Sequence, residues 1–327
     1  MWKPLKLAPW IIAAGTTWSL GFIYNVYFGG ELSWLRAMYL EKLALAAQVQ
    51  TTPRLIILGG SGAHHSINSQ VLQEKLGIPV LNMGLDGPVG LNVILPSILK
   101  TVRPGDIVLL IPEDLILLDE DGLLDRSAPF GIAIGEPGLG GVPLKELVHT
   151  FWMQGVPTLR AIAKSSVDLV EKGRMTGYYS DPLTEQGDPS TVKYRKGKWW
   201  QWTIEKSISP HAIARITQFR TEVEAKGATL VLSLPWVYAS TDKQTVGNMK
   251  KISQELSKIA PLVYDKTSYN LQTDSRLFAD THHHLVLEAR KLRSQQLAEQ
   301  LKPVLQDLQV LSKKDTLNEV RTQQKHL

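Results

Sequence analysis

The sequence predicts an α/β protein on a doubly wound, mainly parallel five-stranded sheet in three layers, α/β/α, preceded by an N-terminal transmembrane helix. Three observations carry this. Short apolar runs rich in β-branched residues alternate with helical patterns across short turns. The runs are apolar throughout, as in strands covered on both faces. An uncharged stretch about one bilayer long comes before them.

That stretch, Trp10 to Phe28, follows Lys3 and Lys6, and the two charges favour an amino terminus held in the cytoplasm with the rest outside. Residues 1–30 are therefore read as a single-pass anchor in a bacterial inner membrane, with the globular part extracytoplasmic. No Ala-x-Ala site follows to suggest a cleaved signal peptide. Residues 31–53 place Leu32, Leu35, Met38, Tyr39 and Leu43 at helical spacing, an amphipathic stalk or packing helix. The globular part spans 54–308. A strand over 54–58 leads to a helix through Ile67, Val71, Leu72 and Leu76 that Gly77 ends, then a strand over 78–83. A helix through Leu95 and Leu99 and a strand over 107–111 come next, implying right-handed crossovers.

The rhythm breaks at 112–209, read as an insertion. It holds the acidic run 119–121, a Gly/Pro-rich stretch over 127–143, a helix over about 157–172 and a basic-aromatic patch over 193–202. Trp199, Trp200 and Trp202 in that patch are candidates to contact sugar rings. The alternation resumes with a helix through Ile213, Ile216 and Val223, a strand over 229–234, a helix over 242–259 and a strand over 261–265. A last helix over 286–308 and a polar tail, 309–327, complete the chain.

Of 327 residues 43% are hydrophobic and 20% charged, the balance of a protein with a real core. The net charge is +5, but the basic residues are dispersed without a nucleic-acid motif, so no nucleic-acid partner is expected. There is no cysteine, which excludes disulfides and thiol chemistry.

The chemistry centres on Gly59-Gly60-Ser61. A serine after a buried strand and two glycines sits at a sheet's carboxyl edge, where open α/β sheets bind ligands; taken alone, it more often serves as a helix N-cap. A catalytic serine needs a base and a carboxylate to orient that base. Asp280 followed by His282, His283 and His284, just before the last helix, supplies both. These histidines, Asp280, His64 and His65 also raise a metal-site reading, although no helical His-x-x-x-His spacing is present. Glu113, at a strand end, is a further catalytic candidate, although a carboxylate there more often serves as a structural hydrogen-bond acceptor.

Gly59-Gly60-Ser61, Asn82-Met-Gly84 and Asp280-x-x-His283 resemble the first, second and last blocks of the SGNH (GDSL-like) hydrolases. With the anchor and the insertion, the chain is more narrowly similar to the membrane-anchored extracytoplasmic branch of DltD- and AlgX/AlgJ-type proteins. The resemblance implies an esterase or O-acyltransferase forming an acyl-serine intermediate, without a cofactor or metal. The implied nucleophile is Ser61, the base His283, and the orienting carboxylate Asp280. His284, followed by Leu285, matches the family's His-Leu pair and is the substitute for His283. The amides of Ser61 and Gly84 are the implied oxyanion donors. Implied partners are a membrane, a carbohydrate polymer or acyl donor, and a membrane-bound acyltransferase. The sequence departs from the family at the third block, where Ile111-Pro-Glu-Asp114 replaces Gly-x-Asn-Asp and its oxyanion-binding asparagine.

Overall fold

The computed structural model describes residues 7–24, 26–27, 31–135, 182–192 and 201–308, with single positions between 148 and 173. Trp199, Trp200, the polar tail and most of the helix expected at 157–172 lie outside the described residues. Helices α1 (Ala8–Tyr24) and α2 (Glu31–Gln48) come first. Then follow β1 (Leu55–Gly59), α3 (Ser61–Ser66), α4 (Ser69–Leu76), β2 (Val80–Asn82), α5 (Leu91–Ser97) and β3 (Ile107–Ile111). Within the region read as an insertion lie α6 (Asp114–Leu117) and α7 (Ser127–Ile134). After it come α8 (Pro210–Glu224), β4 (Thr229–Ser233), β5 (Val237–Tyr238), α9 (Lys243–Ile259), β6 (Leu262–Val263), β7 (Leu271–Gln272) and α10 (Leu287–Asp307).

Five strands form one parallel sheet in the order β2-β1-β3-β4-β6, with β5 and β7 as a separate parallel pair. Because alternate side chains of a strand point to opposite faces, a strand apolar at every position feeds two cores. Ile56, Leu58, Val108, Leu110, Leu230 and Leu232 face the core built with α2, α5, α8 and α9. Leu55, Ile57, Ile107, Leu109 and Val231 face the one built with α4 and α10. The protein is thus α/β, with helices on both faces of a parallel sheet.

Local chemistry marks the helix ends. Asn68 caps α4 by accepting from Val71 N, and Gly77 closes it at φ 67°. Ser209 caps α8, and Asp242 caps α9. At the foot of the sheet Arg54 and Asp106, both fully buried, join the starts of β1 and β3. Arg54 Nε donates to Asp106 Oδ1 at 3.0 Å and Nη2 to Oδ2 at 2.6 Å. Its remaining donors reach the carbonyls of Ala46, Val49 and Thr101.

Beyond β2, the sheet's first edge, runs the segment 182–190. Asn82 N donates to Gln186 O at 2.7 Å, and Leu183 and Pro189 are bridged antiparallel. Asp188 accepts from Ser69 N at 2.6 Å, Ser69 Oγ at 2.8 Å and Asn82 Nδ2 at 2.8 Å. Lys42, buried on α2, donates to Asn82 O at 2.7 Å.

The N-terminal transmembrane expectation is not supported among the described residues. A helix does form there, α1, with 17 residues. Among the described residues no helix is long and apolar enough to cross a membrane. What α1 does show is apolar exposure, with Trp10, Ile11, Ile12 and Leu20 each more than 60% accessible.

Candidate active site

In the order β2-β1-β3 the chain runs from β1 to the strand on one side, then crosses to the strand on the other. The crevice between the carboxyl ends of β1 and β3 is therefore the switch point, where this architecture opens a ligand site. Ser61 leaves β1 there and Glu113 leaves β3. Gly59 makes the turn possible: its φ is +156°, and a Cβ would lie 2.3 Å from Ile111 O across the ladder.

Ser61 is the first residue of α3, and its hydroxyl donates to Glu113 Oε1 at 3.0 Å. The amide of Gly62 donates to the same oxygen. Glu113 Oε2 is buried without a partner. Burial pushes the Glu113 pKa up, against the opposing pull of His283, the Gly62 amide, His284 and the Ser61 hydroxyl.

The other end of the chain meets α3 directly. Ser66 Oγ donates to the carbonyl of His283, Asn68 N donates to Ser294 Oγ at 2.8 Å, and the rings of His65 and His284 lie 4.2 Å apart. His284 Nδ1 is 2.7 Å from Asp280 Oδ1, and its Nε2 is buried without a partner. The carboxylate expected to orient His283 thus holds His284 instead. Thr281 Oγ1 accepts from the amides of both His283 and His284, at 3.2 and 3.0 Å, and the turn so formed brings His284 back over Asp280.

His283 is sent to a different acid. Its Nε2 lies 2.8 Å from Asp114 Oδ1, an ion-pair contact off the line of a straight hydrogen bond. Burial alone would lower the His283 pKa, but Asp114 and then Glu113 hold it above the ordinary value. Burial would likewise raise Asp114, yet His283 and the Trp202 indole hold it below the usual carboxylate range. Trp202 Nε1 donates to Asp114 Oδ2 at 2.8 Å, and the ring rests against His282 at 4.9 Å. Beside Trp202 runs an open groove of about 380 Å³ lined by Leu118, Gln201, Thr203, Glu205 and Lys206.

Gly84 is packed against α3, where a Cβ would lie 2.6 Å from His64 N. Its amide, expected as an oxyanion donor, is occupied: it donates to Asn82 Oδ1 at 2.9 Å. The Ser61 amide stands in the first turn of α3, where N–H groups lack intrahelical acceptors. His64 is buried, with Nδ1 3.0 Å from Lys42 Nζ. Among the described residues no three His, Asp or Glu side chains converge to hold a metal ion.

Asp114 escaped the sequence reading, and Glu113 entered it as a catalytic candidate of a kind that more often serves as a structural acceptor. The signal was an acid pair at the end of one strand, but its meaning depended on that strand lying next to the one carrying Ser61. The sequence matches no family model and no curated protein.

Proposed function

We propose that the chain is an SGNH-like esterase or O-acyltransferase that forms an acyl-serine at Ser61. Its substrate class is an extracytoplasmic carbohydrate polymer or an acyl carrier, and a membrane-bound acyltransferase is the partner that would supply acyl groups. The observation that carries this is the meeting of Ser61's helix with an oriented imidazole: the ring of His65 on α3 lies 4.2 Å from that of His284, whose Nδ1 is held by Asp280. An imidazole so held, with Nε2 uncommitted, is equipped to take a proton from a hydroxyl. The groove beside Trp202 offers an extended acceptor a path to the site. The exposed apolar residues of α1, with Trp152 packed 5.9 Å from Trp18, support a seat at a membrane surface.

A serine-directed fluorophosphonate tests the reading. Wild-type protein should label at one site, and Ser61→Ala should not. Folded wild-type protein that stays unlabelled would overturn it in favour of a second reading, a non-catalytic assembly or polysaccharide-binding protein of the same fold. That second reading draws on one observation: the Gly84 amide and the Ser61 hydroxyl are both satisfied within the protein.

A further inference from the structure

We propose that Glu113, not an imidazole, is the general base that takes the proton of Ser61 on attack, leaving the Asp280–His284 pair to activate the hydroxyl that later accepts the acyl group; this rests on the acyl-serine reading above.

Three features of the carboxyl support it. First, Glu113 Oε1 is the atom that receives the Ser61 hydroxyl, at 3.0 Å, which is the reach a base needs before the substrate arrives. The Gly62 amide donates to the same oxygen and so holds it toward the serine. Second, the carboxyl is clasped by positions that carry no side chain. A Cβ on Gly60 would lie 1.9 Å from Oε2, one on Gly87 2.9 Å from Oε2, and one on Gly62 2.9 Å from Oε1. Only glycine at these three points lets a glutamate reach the serine. Third, Oε2 is buried without a partner. A carboxylate so poorly solvated binds a proton more strongly than one at the surface, and burial accordingly raises its pKa while His283 and His284 oppose the rise. Its neighbour Asp114 faces His283 and Trp202 instead.

In the first half-reaction the Ser61 O–H bond breaks as Oγ bonds to the acyl carbon, and the proton moves to Oε1. The departing alkoxide takes that proton as its C–O bond breaks. In the second half, His284 removes a proton from water or a sugar hydroxyl, that oxygen attacks the acyl carbon, and the Ser61 oxygen leaves with the proton from His284.

The test is the rate of labelling by a fluorophosphonate, in which fluoride departs with its electron pair and needs no proton. Glu113→Gln should label at least about 100-fold more slowly, the range set by loss of a general base, and Glu113→Asp, which keeps a carboxyl, should recover part of the rate. Labelling of Glu113→Gln at the wild-type rate would overturn the proposal without touching Ser61 as nucleophile. A wild-type protein that does not label would overturn the acyl-serine reading itself. A measurement on wild type needs no variant. The pKa of the acidic limb of the labelling rate should hardly move with temperature, as for a carboxyl; a limb that falls clearly on warming, as for an imidazole, would refute the assignment.

Discussion

Lys42 Nζ lies 3.0 Å from His64 Nδ1 with both side chains buried, so two bases share one pocket. Burial pushes Lys42 from 10.5 down to about 7, although Asp188 and Glu41 pull it up. Between those two values the unfolded chain holds a proton at Lys42 that the folded chain lacks. Stability therefore rises with pH across that window, by at most about 1.4 kcal/mol per pH unit from this group. Below it both states are protonated and the contribution is flat. His64, lowered by burial and then by the charge of Lys42, adds a loss of stability as pH falls below its ordinary 6.5. Urea unfolding of wild type and Lys42→Met should show wild type gaining on the variant as pH rises above neutrality. A difference independent of pH would show that Lys42 does not titrate there.

Arg54 and Asp106 form a doubly bonded pair with no exposure. Asp106→Ala leaves a buried guanidinium without its counter-charge, and should cost about 3–5 kcal/mol in chemical denaturation. Arg54→Met combined with Asp106→Leu should cost clearly less than the sum of the single changes, because the two side chains depend on each other.

Two glycine-to-alanine changes should have opposite signs. Gly247 lies inside α9 with nothing within 4 Å of a new Cβ, so Gly247→Ala should stabilise by roughly 0.5–1 kcal/mol. At Gly60 the new methyl would meet Glu113 Oε2 at 1.9 Å and the backbone of Gly87 at 2.8 Å. Gly60→Ala should therefore lower the melting temperature and slow fluorophosphonate labelling, since Glu113 must shift to make room.

These contrasts show what the sequence disclosed. The strands were legible because Leu-Ile-Ile-Leu, Ile-Val-Leu-Leu-Ile and Thr-Leu-Val-Leu-Ser are apolar on both faces, as a covered parallel sheet demands. The position of Ser61 was legible because paired glycines after such a strand allow a tight turn at the sheet's carboxyl edge. The histidine was harder, since three stand in a row and the choice between His283 and His284 depends on a turn wound by the hydroxyl of Thr281. Glu113 and Asp114 became readable only with the strand order, which sets β3 beside β1. Lys42 was not singled out in the sequence, and its side chain donates to the sheet edge at Asn82.

Asp280 is partly exposed and its one described bond is to His284. Asp280→Asn should leave stability within about 0.5 kcal/mol of wild type. With a nitrophenyl ester it should still release a first equivalent rapidly, then turn over on the order of 100-fold more slowly for want of an oriented base. Rapid turnover in this variant would remove the pair from the reaction.

Trp10, Ile11 and Ile12 present adjoining apolar surface to solvent. Replacing all three with serine should lower the affinity for phospholipid vesicles by about a thousandfold or more and so abolish co-sedimentation, because each large apolar group contributes about 1.5–3 kcal/mol when it leaves water. Equal sedimentation would place any membrane contact elsewhere.

The segment 182–190 has a consequence for the company this protein keeps. β2 ends the sheet, and an uncovered edge strand offers its backbone groups to any other chain in extended form. Here Gln186 O takes the Asn82 amide, and Asp188, through Ser69 and Asn82, rivets the segment in place. The returning limb of the insertion thus takes up backbone at the edge that β2 would otherwise present. A chain trimmed of it would keep the serine and the histidines yet present a sticky border along which copies could join strand to strand.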